Sequence, residues 1–107
     1  MKPIEELTDE ELRIEIAEFC GKTGGYYKSN PLMIPNYPSD LNAMWEAEER
    51  LKKPFNKYEY WRNYIGNLRE LLQADLLEFS EDWFNVAHAT AKQRAIAFVK
   101  TIREIKG

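Results

Sequence analysis

Apolar residues recur at helical intervals in four stretches of the chain. In the first, Leu12, Ile16 and Phe19 are spaced to share one helix face. Leu7-Thr8-Asp9-Glu10-Glu11-Leu12 marks its start: the Thr8 hydroxyl is placed to accept from the Glu11 amide, Glu11 to reach back, and Leu7 to pack on Leu12. Asp9, Glu10 and Glu11 suit the positive end of the helix dipole, and Gly21 supplies the stop. Ser39 and Asp40 offer an N-cap for a second helix through about Lys53, ended by Pro54, with Leu41, Met44, Trp45 and Leu51 as its apolar stripe. Asn56-Lys57-Tyr58-Glu59 opens a third, on which Tyr58, Trp61, Ile65, Leu68 and Leu72 line one side as far as Gln73, or Phe79 on a longer reading. Thr90-Ala91-Lys92-Gln93 opens the last, striped by Ala91, Ala95, Phe98, Val99 and Ile102.

The intervening segments behave differently. Residues 21–39 hold two adjacent glycines, Pro31, Pro35 and Pro38, and no helical period, so they read as a loop. Loops this long are usually functional or mobile. Ser80 to Ala89, with Trp83-Phe84-Asn85-Val86 at its centre, fits either a helical turn or a short strand.

Four amphipathic helices cannot bury their stripes alone, so the pattern predicts a mostly α fold, one compact domain over residues 1–107. The expected core is Leu12, Ile16, Phe19, Leu41, Met44, Trp61, Ile65, Leu68, Phe98, Val99 and Ile102. The alternative is α/β, with short strands near 26–34 and 76–87. Composition agrees with a folded chain: 107 residues suit one domain, and 44% hydrophobic residues, including three Trp, six Tyr and five Phe, suffice for a core. No apolar run approaches a membrane span and the first residues lack the features of a signal peptide, so a cytoplasmic protein is expected. Cys20 and His88 are the only residues of their kinds, which excludes an internal disulfide and a Cys/His zinc site. No cofactor or metal is expected.

The net charge of −3 conceals two opposite ends: residues 1–20 carry seven acids and two bases, residues 90–107 five bases and one acid. An acidic domain of this kind is a poor duplex binder, because phosphate contacts dominate nucleic-acid affinity. The acidic first helix and basic last helix are expected to face each other or water.

Candidate chemistry is sparse. Gly21-Lys22-Thr23 resembles the end of a phosphate-binding loop, but that motif needs a glycine where Ile16 stands, and a strand before it. What remains is Gly24-Gly25 flanked by Lys22, Tyr26, Tyr27 and Lys28, which could offer cations and rings to a phosphate or base. The ordinary alternative is a helix C-terminal turn tacked to the core by its tyrosines. Glu48 is the most informative residue, since it interrupts the second helix's apolar stripe and must find a partner there. Arg94 and His88 are the candidates. Together with Thr90 and Gln93 they outline a polar pocket at the start of the last helix, whose N-terminus attracts anions. A structural ion pair is the plainer reading. His88 near Ser80 and Asp82 lacks the spacing and oxyanion donors of a hydrolase. The tryptophans read as core, with room for one at an interface.

Two motifs carry a family resemblance. Tyr37-Pro38-Ser39-Asp40-Leu41-Asn42-Ala43-Met44, followed by Glu46-Ala47-Glu48, and Ala89-Thr90-Ala91-Lys92-Gln93-Arg94-Ala95-Ile96-Ala97-Phe98 resemble the phage ABA sandwich domain family over roughly residues 19–105. Trp45 stands where a His is expected, and the middle reads as helix where the family name implies strands. The resemblance implies a phage-encoded accessory protein in the bacterial cytoplasm. The expected function is non-catalytic binding of a host protein or a small nucleotide-like anionic ligand, directed against a bacterial defence system. Occlusion of a host surface and sequestration of a signal in a homo-oligomer are the two mechanisms. A small nucleic-acid-binding or regulatory protein and a small hydrolase are the alternatives, and no membrane partner is expected.

Overall fold

The caps written into the sequence form where they are expected. In the computed structural model, which describes residues 2–52, 58–73 and 89–106, the Thr8 hydroxyl accepts from the Glu11 amide at 3.1 Å, and the Glu11 carboxylate accepts from the Thr8 amide at 3.0 Å. They open α1, Asp9–Phe19. Its end is a Schellman turn: the Lys22 amide donates to the Ala17 carbonyl and the Gly21 amide to that of Glu18, with Gly21 at φ +73°. A short helix α2, Tyr26–Ser29, and a 3-10 turn at Pro31–Met33 follow. Asp40 caps α3, Leu41–Lys52, by accepting from the Asn42 and Ala43 amides at 3.0 and 3.3 Å. α4 is Tyr58–Gln73 and α5 is Ala91–Lys106, the latter opened by the Thr90/Gln93 capping box. A further 3-10 turn, Ile4–Glu6, precedes α1.

The fold is mostly α, and the described residues contain no strand. The α/β alternative is corrected over 26–34: that segment coils into α2 and the Pro31–Met33 turn, because Gly25 at φ +51° and Pro31 turn the chain where a strand would extend. The other proposed strand region, 76–87, the Asn56 cap and the extension to Phe79 lie outside the described residues.

α5 is the central element, packing on α1, α3 and α4. Its sequence explains the position. Ala95, Ala97, Phe98, Val99, Thr101 and Ile102 are all buried, a set wider than one stripe, so three neighbours are needed to cover it. Thr101 satisfies its buried hydroxyl by donating to the Ala97 carbonyl one turn back, at 2.8 Å. Phe98 is met edge-on by Phe19 and Tyr64, with ring centroids 5.6 and 5.7 Å away. Leu12, Ile16, Met44, Leu68, Phe98, Val99 and Ile102 are buried as expected, with Phe19, Trp61 and Ile65 partly buried against them.

One stripe is rotated from its sequence reading. α3 turns Ala43, Met44, Ala47, Glu48 and Leu51 inward, leaving Leu41 half-buried and Trp45 50% exposed. The two alanines let α3 approach closely, and a tryptophan on that face would hold it off. Trp45 is therefore a surface residue and not part of the core. No helix among the described residues is long and apolar enough to cross a membrane.

Candidate functional site

Two features outside the ordinary apolar core stand out, one buried and one exposed. The buried feature is Glu48. α3 carries it inward, α5 brings Arg94 to it, and Arg94 Nη1 lies 2.7 Å from Glu48 Oε2 with both side chains under a tenth exposed. The Tyr64 hydroxyl on α4 donates to the same carboxylate oxygen, and Arg94 Nε donates to the Ala89 carbonyl at 3.2 Å. Burial and the facing Glu48 carboxylate push the Tyr64 phenol well above its ordinary pKa, so it stays a donor. Three helices are thus joined at one carboxylate. The structure brings together Glu48 and Arg94 of the sequence-proposed pocket and adds Tyr64, which the sequence reading passed over. Its signal was present: Tyr64 lies three residues after Trp61 and four before Leu68, on the same helix face.

The remaining proposed residues are dispersed. Thr90 and Gln93 spend their side chains on each other's backbone amides, 3.1 and 2.9 Å. Tyr26 begins α2, Tyr27 is partly buried against the core, Lys22 is half-buried and Lys28 is exposed. α2 packs on the Pro31–Met33 turn. His88 lies outside the described residues. Cys20 is buried; desolvation drives its thiol pKa up, opposed by a hydrogen bond with Tyr37 and by the charges of Arg50 and Lys22. Burial likewise drives the Tyr37 phenol far up.

No family model, no curated protein and no solved structure matches the chain.

The exposed feature is the 30–38 segment. Arg13, at 14% side-chain exposure, turns its guanidinium onto the segment's carbonyls: Nη2 donates to Pro31 and Ile34 at 2.9 and 2.8 Å, and Nε to Ile34 and Pro35 at 3.2 and 3.3 Å. Its Nη1 is held by Glu10 at 3.0 Å. Ile34, Tyr37 and Pro38 are buried, yet Leu32 is 92% exposed and Met33 56%. Two large apolar side chains thus stand in water on a segment tied down at its base. Arg13 carries no expectation from the sequence, because nothing in its local sequence signals a partner eighteen residues away.

Proposed function

We propose that this chain is a non-catalytic binding protein whose Leu32-Met33 turn docks into an apolar depression on a host protein. In this reading it is a phage accessory protein acting in the bacterial cytoplasm, in keeping with its two family-like motifs, and it occludes a surface of a defence component. The observation that carries the reading is the exposure of Leu32 on a segment pinned by Arg13. Solvating a leucine and a methionine forgoes a few kcal/mol of burial, which a partner can recover. Pinning the backbone beforehand removes much of the ordering entropy that binding would otherwise cost. Leucine and methionine side chains suit such a contact, methionine because its flexible thioether adapts to an irregular apolar surface.

Other features support binding over chemistry. Cys20 is buried as a high-pKa thiol, and Glu48 is committed to Arg94 and Tyr64, so neither is poised as a nucleophile or base. The test is a photo-crosslinking amino acid at position 32, expressed in the bacterial host. The expected outcome is one dominant host-protein adduct, competed by excess unmodified protein but not by Leu32→Asp/Met33→Asp protein of equal thermal stability. Adducts that the double variant competes equally well, or adducts only between copies of this chain, overturn the reading; the latter would indicate a homo-oligomer.

A further inference from the structure

The chain carries one thiol and three thioethers, and the fold treats them unequally. Among the described residues Met44 is fully buried, and Cys20 is 5% exposed with its thiol kept protonated by desolvation. Met33, by contrast, is 56% exposed. Oxidation of sulfur follows access to the reagent and, for a thiol, the fraction present as thiolate. Met33 is therefore the reactive sulfur among the described residues. It adjoins Leu32 in the Pro31–Met33 turn, on the segment that Arg13 pins.

Oxidising Met33 changes the chemistry of the turn and not its shape. The side chain stands outside the core, and the turn is held through backbone groups. Arg13 binds the Pro31, Ile34 and Pro35 carbonyls, and the Met33 amide donates to the Asn30 carbonyl at 2.9 Å. A hydroperoxide adds one oxygen to the thioether: the O–O bond breaks, an S–O bond forms, sulfur loses two electrons, and the reduced peroxide oxygen leaves as water when the oxidant is hydrogen peroxide. The product is a polar sulfoxide on an otherwise unmoved turn. An apolar depression that accepts Leu32 and Met33 offers a sulfoxide oxygen no donor, so the oxygen would enter it stripped of water and unpaired.

We propose that Met33 is a site of reversible oxidation that controls docking: the thioether turn binds and the sulfoxide turn does not. A thiol-dependent reductase restores the thioether, the oxygen leaving as water while two thiols become a disulfide. The proposal rests on the docking role of the Leu32-Met33 turn. It is tested on the full-length protein with the photo-crosslinking residue at position 32, treated with dilute hydrogen peroxide, freed of it and added to a host extract stripped of small molecules. Peptide mass spectrometry follows each methionine. Met33 should gain oxygen at least about tenfold faster than Met44, and complete oxidation of Met33 should lower the yield of the host adduct at least about tenfold. The two methionine sulfoxide reductases, one for each sulfoxide epimer, supplied with a thiol, should restore the yield. In Met33→Leu protein, peroxide should change nothing relative to that variant's own untreated sample, which separates Met33 from Met1. The oxidised protein should keep the parent helical dichroism and melting temperature. Equal oxidation of Met33 and Met44, an adduct that survives oxidation of Met33, a loss that the reductases do not reverse or that Met33→Leu protein shares, or a loss of helix overturns the proposal alone. Absence of the host adduct from untreated protein removes the docking reading, and this proposal with it.

Discussion

A guanidinium and a carboxylate taken out of water cost several kcal/mol each unless each is met by the other and by further hydrogen bonds. Arg94 and Glu48 satisfy that condition, with the Ala89 carbonyl and the Tyr64 hydroxyl completing the set. Breaking such a pair from one side is therefore costlier than the pair is stabilising. Arg94→Ala is expected to lower unfolding free energy by about 3–5 kcal/mol, and adding Glu48→Gln should recover part of it by removing the stranded charge. Chemical denaturation of the four species in a double-mutant cycle measures both terms. The buried phenols and thiol set a further expectation at high pH. Cys20, Tyr37 and Tyr64 all have folded pKa values raised from ordinary values of 9.0, 10.0 and 10.0. The unfolded chain therefore loses these protons first, so stability is intact below about pH 9 and falls as pH rises beyond it. Urea midpoints taken from pH 8 to 11 should decline, and Tyr37→Phe should flatten the decline; a midpoint independent of pH across that range would contradict the burial of these groups.

At the scale of the helix, local chemistry was legible and orientation was only partly so. The boxes at Thr8 and Thr90, the Gly21 stop and the Asp40 cap depend on neighbours within four residues, and each forms. The α3 stripe was misread at Trp45 because hydrophobicity alone favours a tryptophan over an alanine inside. Close packing favours Ala43 and Ala47 instead. The α4 face was read without Tyr64 and Asn67, whose polar ends are buried only because α3 and α5 supply Glu48, Thr101 and Glu104. Gly66 offers a clean test of the helix itself. It sits within α4, exposed, and a Cβ there would meet nothing within 4 Å. Gly66→Ala should thus stabilise the protein by about 0.5–1 kcal/mol through the unfolded chain's lost freedom, raising the denaturant midpoint without changing the slope.

Across the whole molecule, the opposite charges at the two ends of the chain do meet. Glu15 pairs with Arg103 at 2.7 Å, and Asp9 with Lys92, tying α1 to α5. The sequence allowed those contacts without requiring them: Asp9–Lys92 is exposed and such a pair is worth at most about 1 kcal/mol, while Glu15–Arg103 is partly buried and two-pronged only because the packing of α1 on α5 has already covered it. What organises α1 against the long loop is Arg13, and no periodicity exposes it: its partners are backbone carbonyls, which every residue carries and no sequence pattern distinguishes. This makes the loop's order a tertiary property hanging on one side chain, separable from the helical core. Arg13→Ala should therefore leave amide protection in α4 and α5 unchanged relative to global stability. The Met33 and Ile34 amides, which donate to the Asn30 and Pro31 carbonyls at 2.9 and 3.2 Å, should exchange faster. Hydrogen exchange followed residue by residue reads both. Uniform acceleration throughout the chain would mean that Arg13 supports the core instead, and the Leu32-Met33 turn would then owe its shape to Ile34 and Tyr37 alone.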